Sequence, residues 1–259
     1  MEPEISQEPV PGTEEVKAGN FFSRLGGVYL SPRNTFQEIG RKPTVLVPII
    51  ATIVVGLLLG IYVVKTLDLA SLTTAQMEKM VERGRITQEQ MDMMLPGSIA
   101  RAPVQTLVGS CAGGLIVALI IAGYAKLFSL FAGAENRFKT VFSVTLFTTI
   151  AISIVQSILV VLVLYFKGAG DVNVMNINSV VTSNLGAVLR GLLGEDALPK
   201  FVMGLATAVD VFAIWMIALL SIGYSAVSKK LKTATAAIWL VIAFAIIAVI
   251  SAAFGAGSS

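Results

Sequence analysis

Five stretches of about twenty consecutive apolar residues fix the solvent of this chain before anything else does: Val45 to Val64, Val104 to Ala125, Val141 to Phe166, Met203 to Tyr224 and Ala236 to Phe254. A hydrocarbon core of about 30 Å takes roughly 20 helical residues to cross. The expectation is an all-α fold: a polytopic membrane bundle of five transmembrane helices with short interfacial and extracytoplasmic helices attached. Composition agrees, since 55% of the 259 residues are hydrophobic and 14% charged, far from soluble proportions.

The flanks differ in character. Residues 1–20 carry three prolines and five glutamates, a composition that cannot bury enough surface to offset ordering entropy, so an acidic disordered tail is expected. Residues 21–44 mix apolar side chains with bases, and Ser31-Pro32 followed by Gly40 reads as a short helix carrying Phe36 and Ile39. This amphipathic segment is expected on the cytosolic membrane surface, with Phe21, Phe22, Arg24, Arg33, Phe36, Arg41 and Lys42 as candidate contacts for lipid or a cytosolic partner. The first apolar run follows a polar leader without a small-residue cleavage site, so the first span is expected to stay in the mature protein.

Lys and Arg set the orientation. Residues 21–44, 126–140 and 225–233 hold ten bases in 48 positions, against eight in 72 for 65–102 and 167–200. The denser set belongs inside, which places the N-terminus in the cytoplasm and the 255–259 tail outside. Tyr62, Tyr124, Tyr165, Tyr224 and Trp239 fall near span ends, as interfacial aromatics do. Outside, Thr73 to Arg83 reads as one short helix, Thr87 with Gln90 as a capping box for a second ending near Pro96-Gly97, and Ser183 to Leu193 as a third.

Histidine is absent and Cys111 is the one cysteine, which excludes intrachain disulfides, histidine metal sites and Ser/His/Asp or Cys/His catalysis. No cofactor and no metal is expected. Met77, Met80, Met91, Met93 and Met94 cluster in the first outer connection; thioether binding of a soft metal is one reading and adaptable apolar contact the simpler one. The bases lack the aromatic interleaving of a nucleic-acid surface, and no phosphate-binding loop is present.

Within the spans, Asp210 is the one ionisable residue, and such a residue is costly unless anchored or functional. A paired-carboxylate enzyme needs a second, so the chain is expected not to be an enzyme. Thr145, Thr149, Ser153 and Gln156 follow offsets of four, four and three, a polar stripe on one helix face. It either joins helices by hydrogen bonds or lines a path. Gly56 with Gly60 and Gly109 with Gly113 are small-residue pairs suited to close helix packing within the chain or between copies of it. Broken helices and repeated halves, which mark transporters, are not evident.

Three stretches carry a resemblance: Thr182-Ser-Asn-Leu-Gly-Ala-Val-Leu189, Ala208-Val-Asp-Val-Phe-Ala-Ile-Trp215 and Leu219-Leu-Ser-Ile-Gly-Tyr224, followed by Lys229-Lys230. Together with Leu30-Ser-Pro-Arg-Asn-Thr-Phe36, Arg41-Lys-Pro-Thr-Val-Leu-Val-Pro48 and the Gln/Glu/Met-rich connection from Ala75 to Leu95, the chain resembles bacterial Yip1-domain proteins over roughly 21 to 254. It departs in having no proline between 141 and 166. The resemblance implies a multi-pass protein of the bacterial cytoplasmic membrane; eukaryotic relatives are five-span ER and Golgi proteins linked to Rab-type GTPases. Two functions stay open: a non-enzymatic scaffold or adaptor organising protein partners or membrane, and a transporter, channel or lipid-handling protein using Asp210 and the polar face of the third span.

Overall fold

The computed structural model describes residues 19–167, 183–194 and 198–256. Most of the acidic tail, the connection from Gly168 through Asn178 and the end of the 255–259 tail lie outside them. Among the described residues there are ten helices and no strand.

Helices α1 (Phe21–Leu30) and α2 (Pro32–Arg41) share Ser31, which ends one and begins the other. Asn20 caps α1 by accepting the Ser23 amide at 2.8 Å, and Pro32 occupies the first position of α2, where a missing amide proton has no intrahelical partner to lose. Four helices are long and apolar enough to cross a membrane: α3 (Leu46–Thr66), α5 (Gln88–Phe131), α6 (Phe138–Lys167) and α10 (Thr233–Ala256). Helix α4 (Leu69–Glu82) folds back along α5, with Met77 and Met91 buried and Met93 and Met94 exposed.

Two expectations are corrected here. The span drawn from Met203 to Tyr224 is not one helix: α8 (Lys200–Ala208) stops, Val209 and Asp210 are extended, and α9 (Val211–Ala226) starts afresh with 16 residues. At 1.5 Å per residue α9 is about 24 Å long, short of a full crossing. Asp210 is the reason, because its carboxylate accepts the Phe212 and Ala213 amides and so starts a helix instead of continuing one. Conversely, the helix expected to end at Pro96-Gly97 runs on to Phe131, 44 residues in all from Gln88. The capping box at Thr87 and Gln90 is complete, and each interior proline removes only one hydrogen bond from a helix that packs along both α3 and α4.

Helix α6 is the axis of the bundle. Its residues from Val141 to Ala151 are almost all buried, enclosed by α1, α2, α3, α5 and α9. Gly223 of α9 marks a close three-helix junction: a Cβ there would meet Val144 of α6 and the Phe36 ring of α2. Tyr224, expected at the interface, is instead fully enclosed and shares a 2.8 Å hydrogen bond with Thr145. A buried phenol requires such a partner. Helix α7 (Leu185–Leu193) pairs with α8, which in turn packs on α10 where Gly204 lies against Ala252.

The α1–α2 pair is tucked in alongside this axis. The Tyr29 hydroxyl donates to the Ala151 carbonyl at 2.5 Å and its ring lies 6.0 Å from Trp215, while Gly40 abuts Val227. The turn at Ser31 therefore reaches about 20 Å along α6. Phe22, Leu30, Arg33, Arg41 and Lys42 face outward and Phe21 is half-buried. Arg24 and Phe36 are interior, a correction to their reading as surface contacts. Phe36 fills the space left by Gly223, and the Arg24 guanidinium is satisfied inside: Nε lies 2.9 Å from Glu38 and Nη1 donates to the Lys42 carbonyl at 3.0 Å and to Thr44 at 3.3 Å.

Candidate functional site

The polar stripe on α6 divides into two halves with different fates. Thr145 donates to the Val141 carbonyl at 2.9 Å and pairs with Tyr224, and Thr149 bonds the Thr145 and Leu146 carbonyls at 3.0 and 3.1 Å. That half joins α6 to α9 and is sealed.

Four to eight residues further on, Ser153, Gln156 and Ser157 open onto a cavity of about 330 Å³. Thr52, Gly56 and Leu59 of α3 wall one side, and Ser110 and Gly114 of α5 another. The break before α9 closes it with Ser183, Asp210 and Phe212. Gly56, the central residue of α3, lets the two backbones meet: a Cβ there would overlap the Ser110 carbonyl, and Gly60 sits against the Ser110 side chain one turn on. Nothing lies within 4 Å of a Cβ at Gly109 or Gly113, so that pair does not serve intrachain packing, a correction that follows from the face of α5 on which it lies.

Asp210 is held from three directions. One carboxylate oxygen accepts the Phe212 and Ala213 amides at 2.8 and 3.2 Å, and the other accepts the Ser183 hydroxyl. The two extended segments bond each other as well, Leu185 N to Val209 O at 2.9 Å and Val211 N to Ser183 O at 3.2 Å. Asn184 caps α7 through the Ala187 amide at 2.8 Å. Two helix N-termini thus meet at one place and supply positive dipole ends beside the carboxylate. The break in α8–α9, which the apolar run concealed, is what carries Asp210 to Gln156 and Ser153.

Thr52 and Ser110 donate to their own helices, to the Pro48 carbonyl at 2.8 Å and the Thr106 carbonyl at 2.7 Å. Among the described residues Ser153, Gln156 and Ser157 form no hydrogen bond with protein. Thr52 was legible as the residue four before Gly56 on the same face; Ser183 was not, since it reaches Asp210 from 27 positions away. Among the described residues no group of His, Cys, Asp or Glu could hold a metal.

These features define a helical integral membrane protein whose bundle holds a partly open cavity, lined by both polar and apolar side chains, at a discontinuous helix. The chain belongs to the Yip1 domain family, with residues 26–254 matching that domain. No curated protein and no solved structure matches it significantly.

Proposed function

We propose that this Yip1-family protein is a non-enzymatic scaffold or adaptor of the bacterial cytoplasmic membrane, with its N-terminus in the cytoplasm. The observation that supports this best is the two-faced α1–α2 hairpin. Its inner face is locked by Phe36, Ile39, Val28 and the Arg24–Glu38 pair, while Phe22, 76% exposed, stands outward with Arg41 and Lys42 at the end of the hairpin away from the Ser31 turn. A rigid surface bearing an apolar anchor and a basic rim suits an acidic protein partner, whose approach the charges steer. Helix α6, sealed over half its length, and α9 hold that surface still.

The test is isolation of the full chain in native-like lipid with identification of what accompanies it. A stoichiometric partner, lost on Arg41→Glu/Lys42→Glu while the thermal transition stays unchanged, is the expected result. A lone chain that moves solute or lipid in vesicles would overturn the reading.

A further inference from the structure

The cavity at the helix break holds one carboxylate and no cationic side chain in its described lining, a feature independent of any adaptor role. Asp210 brings the only formal charge to its described lining, and no lysine or arginine answers it there. A carboxylate offers about four lone-pair sites. Phe212, Ala213 and Ser183 occupy three, leaving one for the cavity. Because Thr52 and Ser110 donate to backbone carbonyls, both present only oxygen lone pairs, while Ser153, Ser157 and Gln156 offer donors and acceptors alike. Acceptors therefore outnumber donors in the lining, and the carboxylate is offset there by the two helix N-termini alone, with no cationic side chain.

We propose that it binds a primary ammonium group, borne either by a small free amine or by the headgroup of an aminophospholipid. An ammonium carries three donors and no acceptor, the complement of Asp210, Gln156 and the two committed hydroxyls. The volume of about 330 Å³ is several times that of a water molecule and exceeds what a bare metal ion needs, since an ion draws its oxygens to about 2.0–2.6 Å. Leu59, Val160 and Phe212 receive the carbon skeleton. Pairing with the carboxylate leaves the site neutral in a medium where an isolated charge is costly.

The experiment follows thermal unfolding of the purified full chain in maltoside micelles while ethanolamine hydrochloride is titrated against sodium chloride and choline chloride at matched ionic strength. A saturable rise in Tm with ethanolamine alone is expected. Asparagine caps a helix as aspartate does, so Asp210→Asn keeps the fold and raises the half-saturating concentration by about ten-fold or more, the loss of one charge-assisted hydrogen bond. Gln156→Leu leaves Asp210 and its cap intact and weakens the effect severalfold, which keeps the test decisive should Asp210→Asn fail to fold. A second arm compares nanodiscs of phosphatidylethanolamine mixed with phosphatidylcholine against phosphatidylcholine alone; stabilisation by the former that Gln156→Leu abolishes assigns the lipid headgroup as source. The proposal falls if neither ethanolamine nor phosphatidylethanolamine stabilises the wild type, if sodium or choline does so equally, or if the variants respond as the wild type does.

Discussion

Replacing Arg24 by alanine should loosen α1 from α2 and from the 42–44 linker without unfolding the rest. Arg24 is 3% exposed and Glu38 30%, and the guanidinium makes three contacts: with Glu38, with the Lys42 carbonyl and with Thr44. Breaking a fully buried ion pair costs about 3–5 kcal/mol. The partial exposure of Glu38 lets water reach the orphaned carboxylate, so about 2 kcal/mol is the expected loss, roughly a 30-fold shift in the equilibrium between α1 packed on α2 and α1 detached. Trp215 reports it directly, since Tyr29 of α1 lies 6.0 Å away and moves with that helix. Fluorescence of Trp215 and protease sensitivity between 19 and 44 should both change in Arg24→Ala, with thermal unfolding of the remaining helices little altered. Arg24→Lys should recover part of the loss, because a point charge replaces a planar fork. In a double-mutant cycle with Glu38→Ala the two losses should overlap. Full additivity, or an Arg24→Ala protein with unchanged fluorescence and protection, would refute the claim that this pair clasps the hairpin.

Other outcomes follow from the same contacts. Gly56→Ala should destabilise the bundle by about 1–3 kcal/mol, because its Cβ would overlap the Ser110 carbonyl, whereas Gly113→Ala should change thermal stability by less than about 0.5 kcal/mol; equal effects would contradict the assigned faces. Thr145→Val leaves the Tyr224 hydroxyl without its partner and should cost about 0.6–1.7 kcal/mol, with Thr145→Val/Tyr224→Phe restoring part of it in an equilibrium unfolding titration. Asp68 accepts the Ser71 hydroxyl and the Ser71 and Ala70 amides, led by the hydroxyl, which holds its carboxyl below the usual aspartate range. A depressed value stabilises the folded state above the unfolded aspartate value of about 3.9 and loses that contribution as pH falls through the folded one. Exchange of the Ala70 and Ser71 amides should therefore quicken in acid relative to neighbouring amides, and Asp68→Asn should remove that pH dependence.

Much of this architecture was legible from local pattern. Apolar length placed α3, α6 and α10, the Thr87–Gln90 box placed the start of α5, and Asn184 lay within the short helix expected from Ser183 to Leu193. Each of these rests on interactions within a few residues, which sequence displays. The polar stripe on α6 was likewise visible as a periodicity, but not its division into a sealed half and an open half, because that depends on where Tyr224 lies. The break at Asp210 was hidden because hydropathy averages over a window, and one capping carboxylate scarcely changes the mean.

The sequence by itself determined the solvent of the chain and its helical class, because a bilayer demands apolar length, and it determined the family through residues 26–254. Tertiary structure alone decided that Arg24 and Phe36 turn inward, that Gly56 and not Gly109 meets a neighbouring backbone, and that Ser183, Asp210 and Gln156 surround one cavity. Those choices depend on which helix faces which, a relation between distant segments that no local spacing encodes.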